Sequence, residues 1–351
     1  MKALIIGPTL ADYDPGYCKS IARAFTQCGF ETRVEEFFVT TPPGIGNRMR
    51  MDGAMLLGYR KYYDEYVASF NKRVLTSYLT DRPDLVFVVR GSKLSADTLK
   101  SMSSAVKVLW CHDVIRRCDI SIEQLCGYDL RYVFDASDVP WLAERCGLEA
   151  RHLLMGFDPE NYFPLDHSEK DIDVFFVGAY YPSRRAILER LANHFPNLAL
   201  RFYGRNVRYR EPRTWIRHLY YLAVGQGKVF VNRSLNPVEV NQMYSRSKIC
   251  LNMHHEQSEA GCNPRVFEIM GAGAFQLVDA VPYVRKNLDE LATYDGYDTL
   301  RQAINFYLSD NRLREDAARH ARQTALAHHT YAHRIREVLR DCNLRSPGSS
   351  Y

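Results

Sequence analysis

The sequence predicts an α/β protein made of two doubly wound domains, each built on a parallel sheet. Short, wholly apolar runs alternate with longer amphipathic ones, the rhythm of βα units. The alternation occurs twice, and each series opens on an apolar run that ends in glycine, ALIIG at Ala3–Gly7 and VFFVG at Val174–Gly178. Between the two series lies Gly156–Pro164 (GFDPENYFP), followed by the charged stretch Asp166–Asp173, which reads as an interdomain linker. A chain of 351 residues is long enough to give each domain its own core.

Each element follows from local pattern. Ala3–Gly7 is continuous and apolar, as a strand covered on both faces should be. Ile21, Ala24 and Phe25 recur at helical spacing within Tyr17–Cys28, and Gly29 closes that helix. A strand near Thr32–Phe38 and a long charged helix within Met51–Thr80 come next. Leu85–Val89 (LVFVV), Val106–Trp110 and Tyr132–Phe134 complete the first series of strands, with turn signals at Asp81–Asp84 and Gly91–Lys93. In the second series Val174–Val177 is a strand and Ser183–His194 a helix with Ser183 as its N-cap. Leu198–Tyr203, Ile249–Met253 and Ala274–Val278 are strands, and Pro237–Ser245 and Pro264–Gly271 are helices. Tyr297 to about Leu339 reads as nearly unbroken helix, and Ser346–Tyr351 as a frayed tail. Ligands of such sheets bind outside the carboxyl ends of the strands. Two Rossmann-like domains facing each other across a cleft are therefore expected, with the site in the cleft.

Composition excludes several functions. Hydrophobic residues make up 46% and charged residues 25%, ordinary for a soluble globular protein. The formal charge of +5 is too mild to require nucleic acid, yet compatible with an anionic substrate or peripheral contact with a membrane surface. No run of about 18 apolar residues occurs, and the apolar start of the chain is too short for a signal peptide or a span. The nine cysteines show no C-x2-C pair and read as buried thiols in a reducing, cytoplasmic setting. His254-His255-Glu256 lacks the H-E-x-x-H spacing, and the one Asp-x-Asp, Asp171 to Asp173, lies in the linker. No metal and no cofactor are expected.

Five segments carry candidate chemistry. Gly178 ends a strand and is followed by Ala-Tyr-Tyr-Pro-Ser-Arg184, a strand–loop–helix junction whose amides and arginine suit a diphosphate, or form a plain tight turn. Asn263-Pro264-Arg265 opens a helix in which Arg265 and Glu268 share one face, suiting phosphate and ribose, or forming a surface ion pair. In the first domain His112 and Asp113 follow a strand at its carboxyl end. Either can serve as general base with the other orienting it, Asp113 being the first choice, or Asp113 is an N-cap beside a packed histidine. Arg201, Arg205, Arg208, Arg210, Arg213 and Arg217 interleave with Tyr203, Tyr209 and Trp215, a basic loop that fits a diphosphate or an anionic acceptor better than nucleic acid, or a solvated insertion. Tyr59–Tyr63 and Tyr66 form an aromatic, basic helical face that suits sugar stacking or domain packing.

The segment NPRVFEIMGAGAFQLVD at Asn263–Asp279 resembles the donor-binding helix of group 1 glycosyltransferases, in particular their CgeB-like (spore maturation protein-like) branch. KALIIG, PDLVFVVRG, VKVLWCHD, MGFDPENYFP, VFFVGAYYPSRRAILERL, ICLNMHH and HHTYAHRIREVL resemble further blocks of that family in order and spacing. The resemblance implies a GT-B fold with an acceptor-side domain (1–160), a nucleotide-sugar domain (161–330) and a C-terminal helix crossing back to the first domain (331–351). It implies transfer of a sugar from a nucleotide diphosphate-sugar to an acceptor hydroxyl or amine without a metal, the acceptor being a glycan, a protein or a small molecule. Gly178, Arg184, Tyr203, Gly204, Arg205, Asn263, Arg265 and Glu268 would bind the donor. The Glu-x7-Glu pair of retaining members is absent or displaced, Ala260 standing where the first glutamate belongs and Glu259 one residue before it, which leaves both inversion and retention open. A sugar-nucleotide epimerase of the same architecture and a non-catalytic nucleotide-sugar-binding partner are the competing readings.

Overall fold

A computed structural model describes residues 1–9, 17–38, 61–165, 169–204, 212–255 and 260–344. The chain divides into two compact units, the first comprising 1–155, 257–261 and 331–351, and the second 156–256 and 262–330. Each unit holds one six-stranded sheet in which every described pairing is parallel.

In the first unit the strands are β1 (Lys2–Thr9), β2 (Glu31–Phe38), β3 (Leu85–Val89), β4 (Val106–Cys111), β5 (Leu130–Val133) and β6 (Arg151–His152), in the order β2-β1-β3-β4-β5-β6. All five residues of β3 are fully buried, because both faces of this central strand are covered. One side packs on the helix Tyr17–Gln27 and on the last helix, Tyr331–Asp341, through Phe25, Trp110, Tyr331, Ile335 and Val338. Burying each such side chain contributes about 1.5–3 kcal/mol. Arg334 Nε donates to the carbonyls of Leu154 (3.0 Å) and Met155 (3.3 Å), so the final helix is tied into this unit by polar contacts as well. Fully buried Asp135 accepts from the amides of Ser137, Ala260 and Gly261 and from the Ser137 hydroxyl, which fixes residues 260–261 to the first unit.

In the second unit β7 (Ile172–Val177), β8 (Leu200–Tyr203), β9 (Phe230–Val231), β10 (Ser247–Asn252), β11 (Gln276–Asp279) and β12 (Ala292–Tyr294) run in the order β12-β11-β10-β7-β8-β9. Strand order reverses between β1 and β3 in the first sheet and between β7 and β10 in the second. Those two crevices are the topological switch points where α/β sheets bind ligands.

Two local expectations need correction. Ser183 is not an N-cap: the helix runs Pro182–His194, with Tyr181 at the cap position and Pro182, whose missing N–H costs nothing there, in the first turn. The C-terminal stretch is three helices, Tyr297–Ser309, Asn311–His328 and Tyr331–Asp341. Asp310 leaves helical geometry (φ −126°, ψ 101°) and caps the second of them, accepting from Leu313 N at 2.9 Å. The next break lies at His329 and Thr330, where the Phe157 amide donates to His329 O and Phe157 pairs with Thr330. The expected helix within Met51–Thr80 is described as Lys61–Asp81, and residues 51–60 lie outside the described residues. All nine cysteines are free thiols, six of them buried. No helix among the described residues is long and apolar enough to cross a membrane.

Candidate functional site

At the β7/β10 switch point of the second unit two helices begin without a side-chain cap, Pro182–His194 and Pro264–Gly271. Both carry proline in the first turn and an arginine just behind it, Arg184 and Arg265. First-turn amides of a helix have no acceptor within the helix, so each start offers N–H groups beside a guanidinium. Asn263 occupies the cap position of the second helix but does not cap it. It exchanges side-chain hydrogen bonds with buried Asn252 (3.1 and 3.2 Å), which also donates to Gln276 Oε1 at 2.9 Å. This amide ladder anchors the helix start to β10 and β11, so Asn263 is engaged in positioning.

Arg184 reaches across the crevice. Its Nη2 donates to Met253 O at 2.7 Å, its guanidinium lies 5.3 Å from the Tyr181 ring, and its Nε is buried without a partner. Burial and then the neighbouring Arg265 cation lower its pKa, so two positive charges repel each other here. Arg265 approaches Glu268 at 3.7 Å and the Tyr244 hydroxyl at 3.4 Å. The Glu268 side chain is 4% exposed and hydrogen-bonds Tyr162; burial raises its pKa, with Arg265 opposing. In this conformation the carboxylate is turned into the protein and sets the Arg265 side chain.

Gly178 and Gly204 end β7 and β8 where the two loops nearly touch. A Cβ on Gly204 would stand 2.0 Å from Gly178 O, so only glycine fits. A Cβ on Gly178 would lie 3.6 Å from Arg184 Nη1, so the bare backbone borders the guanidinium. Gly204→Ala is therefore expected to lower the unfolding free energy by about 2 kcal/mol or more, measured by urea denaturation; an unchanged midpoint would show that the two loops have room to part. Tyr203 packs against Phe175 (ring centroids 6.0 Å apart) and under Arg233. Arg205, Arg208, Tyr209 and Arg210 lie outside the described residues, as do the side chains of Arg213, Trp215 and Arg217.

One pair at this crevice is not evident from sequence. His254, just beyond β10, donates its amide to both oxygens of Asp279 (3.0 and 2.8 Å), and its Nδ1 lies 2.6 Å from Asp279 Oδ1. The carboxylate assigns the proton to Nδ1, and leaves Nε2, buried and unpartnered, as a lone-pair acceptor. Asn252 pairs with Val278, which sets Asp279 beside the residues that follow β10. Buried polar atoms without partners are rare and call for an explanation.

In the first unit His112 and Asp113 follow β4. No hydrogen bond joins them: Asp113 Oδ1 accepts from Val114 N at 3.0 Å, while His112 Nδ1 is buried and unpartnered, its ring 5.7 Å from Tyr17. Burial, then the Arg90 cation, hold His112 down at about 4, against the pull of Asp113, so its imidazole is neutral at pH 7. Arg90, at the β1/β3 switch point, adopts φ 69° and buries an unpartnered Nε. Sequence reading passed over it, although an arginine closing a wholly buried strand before glycine is itself a signal. Of the aromatic helical face, Tyr63 lies under the Lys93 ammonium at 4.3 Å and the Tyr66 hydroxyl accepts from Phe38 N, so both serve packing within the first unit.

A family model described as glycosyl transferase-like matches residues 184–340. No curated protein sequence matches the chain. Among solved structures the chain is similar to HepE of Anabaena in complex with UDP and glucose (12% identity, TM-score 0.65, 98% of this chain and 99% of that one). It is also similar to sucrose-phosphate synthase of Thermosynechococcus elongatus (12%, TM-score 0.64, 97% and 99%). A third likeness is to the UDP-forming α,α-trehalose-phosphate synthase of Burkholderia xenovorans (11%, TM-score 0.64, 98% and 100%). At this identity the likeness establishes the fold, two Rossmann-like domains of GT-B type.

Proposed function

We propose that this chain is a glycosyltransferase of the CgeB-like branch, moving a sugar from a nucleotide diphosphate-sugar to an acceptor hydroxyl or amine without a metal. The observation that carries the reading is the Arg184–Arg265 pair, two neighbouring guanidiniums at uncapped helix starts on the β7/β10 switch point. The Glu268 carboxylate stands beside Arg265, and a diphosphate would add negative charge next to both guanidiniums. As the sugar leaves, negative charge grows on the diphosphate, and prearranged cations and amides stabilise it more in the transition state than before. Glu268 holds Arg265 in place, and Gly178 and Gly204 keep the loop low enough for phosphate oxygens to approach the backbone. The Asp113 carboxylate, with one oxygen engaged by Val114 N, is the proposed base that takes the acceptor proton, beside a neutral His112. The match of residues 184–340 to a glycosyl transferase-like family supports the transfer chemistry. Two proteins of this fold, one solved in complex with UDP and glucose and one UDP-forming, make uridine nucleotides the first donors to test. The free thiols suit a cytoplasmic enzyme.

Thermal-shift screening against UDP, GDP, TDP, CMP and their sugar conjugates, with and without a chelator, tests the reading. A shift with one nucleoside diphosphate that survives chelation is expected. At a ligand concentration 100 times Kd, linkage gives about 2.7 kcal/mol of added stability. A shift that vanishes with chelator would overturn the metal-free assignment, and no shift with any of them would overturn the donor site.

A further inference from the structure

The opposite edge of the second sheet carries a cavity of about 450 Å³ that the proposed reaction does not use. It lies at the amino-terminal ends of the strands: Lys170 precedes β7, Lys248 is the second residue of β10, and Gly273 and Phe275 lead into β11. The first turns of the helix Asn311–His328 close it with Asn311, Arg314, Glu315, Ala318 and Arg319. The six-residue length of β10, about 20 Å at 3.3 Å per residue, separates it from the Arg184 crevice.

Its lining holds five cations, Lys170, Lys248, Arg314, Arg319 and Arg322, against one carboxylate, Glu315. Two cations are compensated by neighbours, Lys248 by Asp173 at 2.7 Å and Arg319 by Asp316 at 3.1 Å. Among the described residues the other three meet only neutral acceptors. Lys170 donates to the carbonyls of Ser245 (3.3 Å) and Ser247 (3.0 Å), and Arg322 to Gly271 O. Arg314 donates to Tyr307 O, Asp310 O and Asn311 Oδ1. Glu315 accepts from Asn311 Nδ2 at 2.6 Å. Burial lowers the pKa of all three; Arg314 lowers Lys170 further while Glu315 opposes, and Glu315, Asp310 and Asp173 oppose the shift of Arg314. Buried and half-buried cations that outnumber the carboxylates around them are costly, and an anion in the cavity would lower that cost. Phe275, Ala318 and Pro164 add an apolar wall beside the charges.

We propose that this cavity is a second ligand site, which takes a phosphate-bearing anion with a ring-sized apolar or sugar body. Lys170, Arg314 and Arg322 meet the phosphate oxygens, and the body lies along Phe275 and Pro164. The volume is that of an ordinary small-molecule pocket. The assignment does not depend on the sugar-transfer reading.

The test is calorimetric titration of inorganic pyrophosphate into the full chain carrying Arg184→Met, which removes the grip at the other edge. Pyrophosphate is expected still to bind this protein. Adding K170Q and R322Q, which keep hydrogen-bond donors but remove charge, is expected to weaken it at least about tenfold, as losing charge-assisted bonds does. R319E on the exposed rim, which leaves the buried lining intact, is expected to weaken it about threefold through like-charge repulsion. Flotation with vesicles of phosphatidylcholine and phosphatidic acid distinguishes the sources. Capture that pyrophosphate competes away and K170Q/R322Q abolishes assigns a lipid headgroup; pyrophosphate binding without capture assigns a soluble phosphoester. Failure of the Arg184→Met protein to bind pyrophosphate, or equal affinity in the charge-removed variants, overturns the proposal.

Discussion

Arg184→Met is expected to weaken nucleoside diphosphate binding by about 100-fold while changing the stability of the ligand-free protein by less than about 1 kcal/mol. The first effect follows from losing a charge-assisted bond to phosphate, about 1.5–3 kcal/mol. The second follows from two terms of opposite sign. Removing the guanidinium leaves Met253 O without its donor, a loss of similar size. It also removes a half-buried cation whose Nε has no partner and which is repelled by Arg265. These nearly cancel, so the side chain is expected to contribute little net stability. Isothermal titration calorimetry and urea denaturation on the same variant check both halves. Unchanged affinity with a loss of several kcal/mol of stability would make Arg184 a structural strut.

The strands were legible because a strand covered on both faces must be apolar throughout, and LVFVV at β3 admits no other economical reading. The helix start at Pro264 was legible from its proline, whereas at Pro182 a neighbouring serine drew the boundary one residue too late. What sequence could not supply was register. His254 and Asp279 are 25 residues apart, and only the pairing of Asn252 with Val278 in adjacent strands brings them to 2.6 Å. Glu268 illustrates a different limit. Helical spacing placed it on one face with Arg265, and the two do meet at 3.7 Å. Nothing local disclosed that Tyr162, from far upstream, would hydrogen-bond that carboxylate, or that Phe157 would fill the space that Gly271 leaves by lacking a side chain. The basic cavity was hidden for the same reason: Lys170, Lys248 and Arg322 are scattered in sequence and become neighbours only through the sheet.

His254→Ala is expected to lower kcat for sugar transfer about 100-fold while changing the Kd of the free nucleoside diphosphate less than about twofold. With its Nδ1 proton committed to Asp279, the imidazole presents Nε2 as a fixed acceptor, and in a nucleotide-sugar site the unsatisfied partner that suits it is a hydroxyl of the transferred sugar. One such preorganised contact, made fully only as the sugar moves, carries about 2.7–4 kcal/mol in enzymes where it has been removed. Asp279→Asn tests the same unit from behind. The amide is isosteric and still accepts from the His254 main chain, but it no longer dictates which ring nitrogen holds the proton, so kcat should fall by a comparable factor. Because the two residues act as one device, the double variant should be no slower than His254→Ala alone, the non-additivity expected of coupled groups. Additive losses would mean that His254 and Asp279 serve separate purposes. Loss of nucleoside diphosphate binding in His254→Ala would move its contact from the sugar to the phosphates.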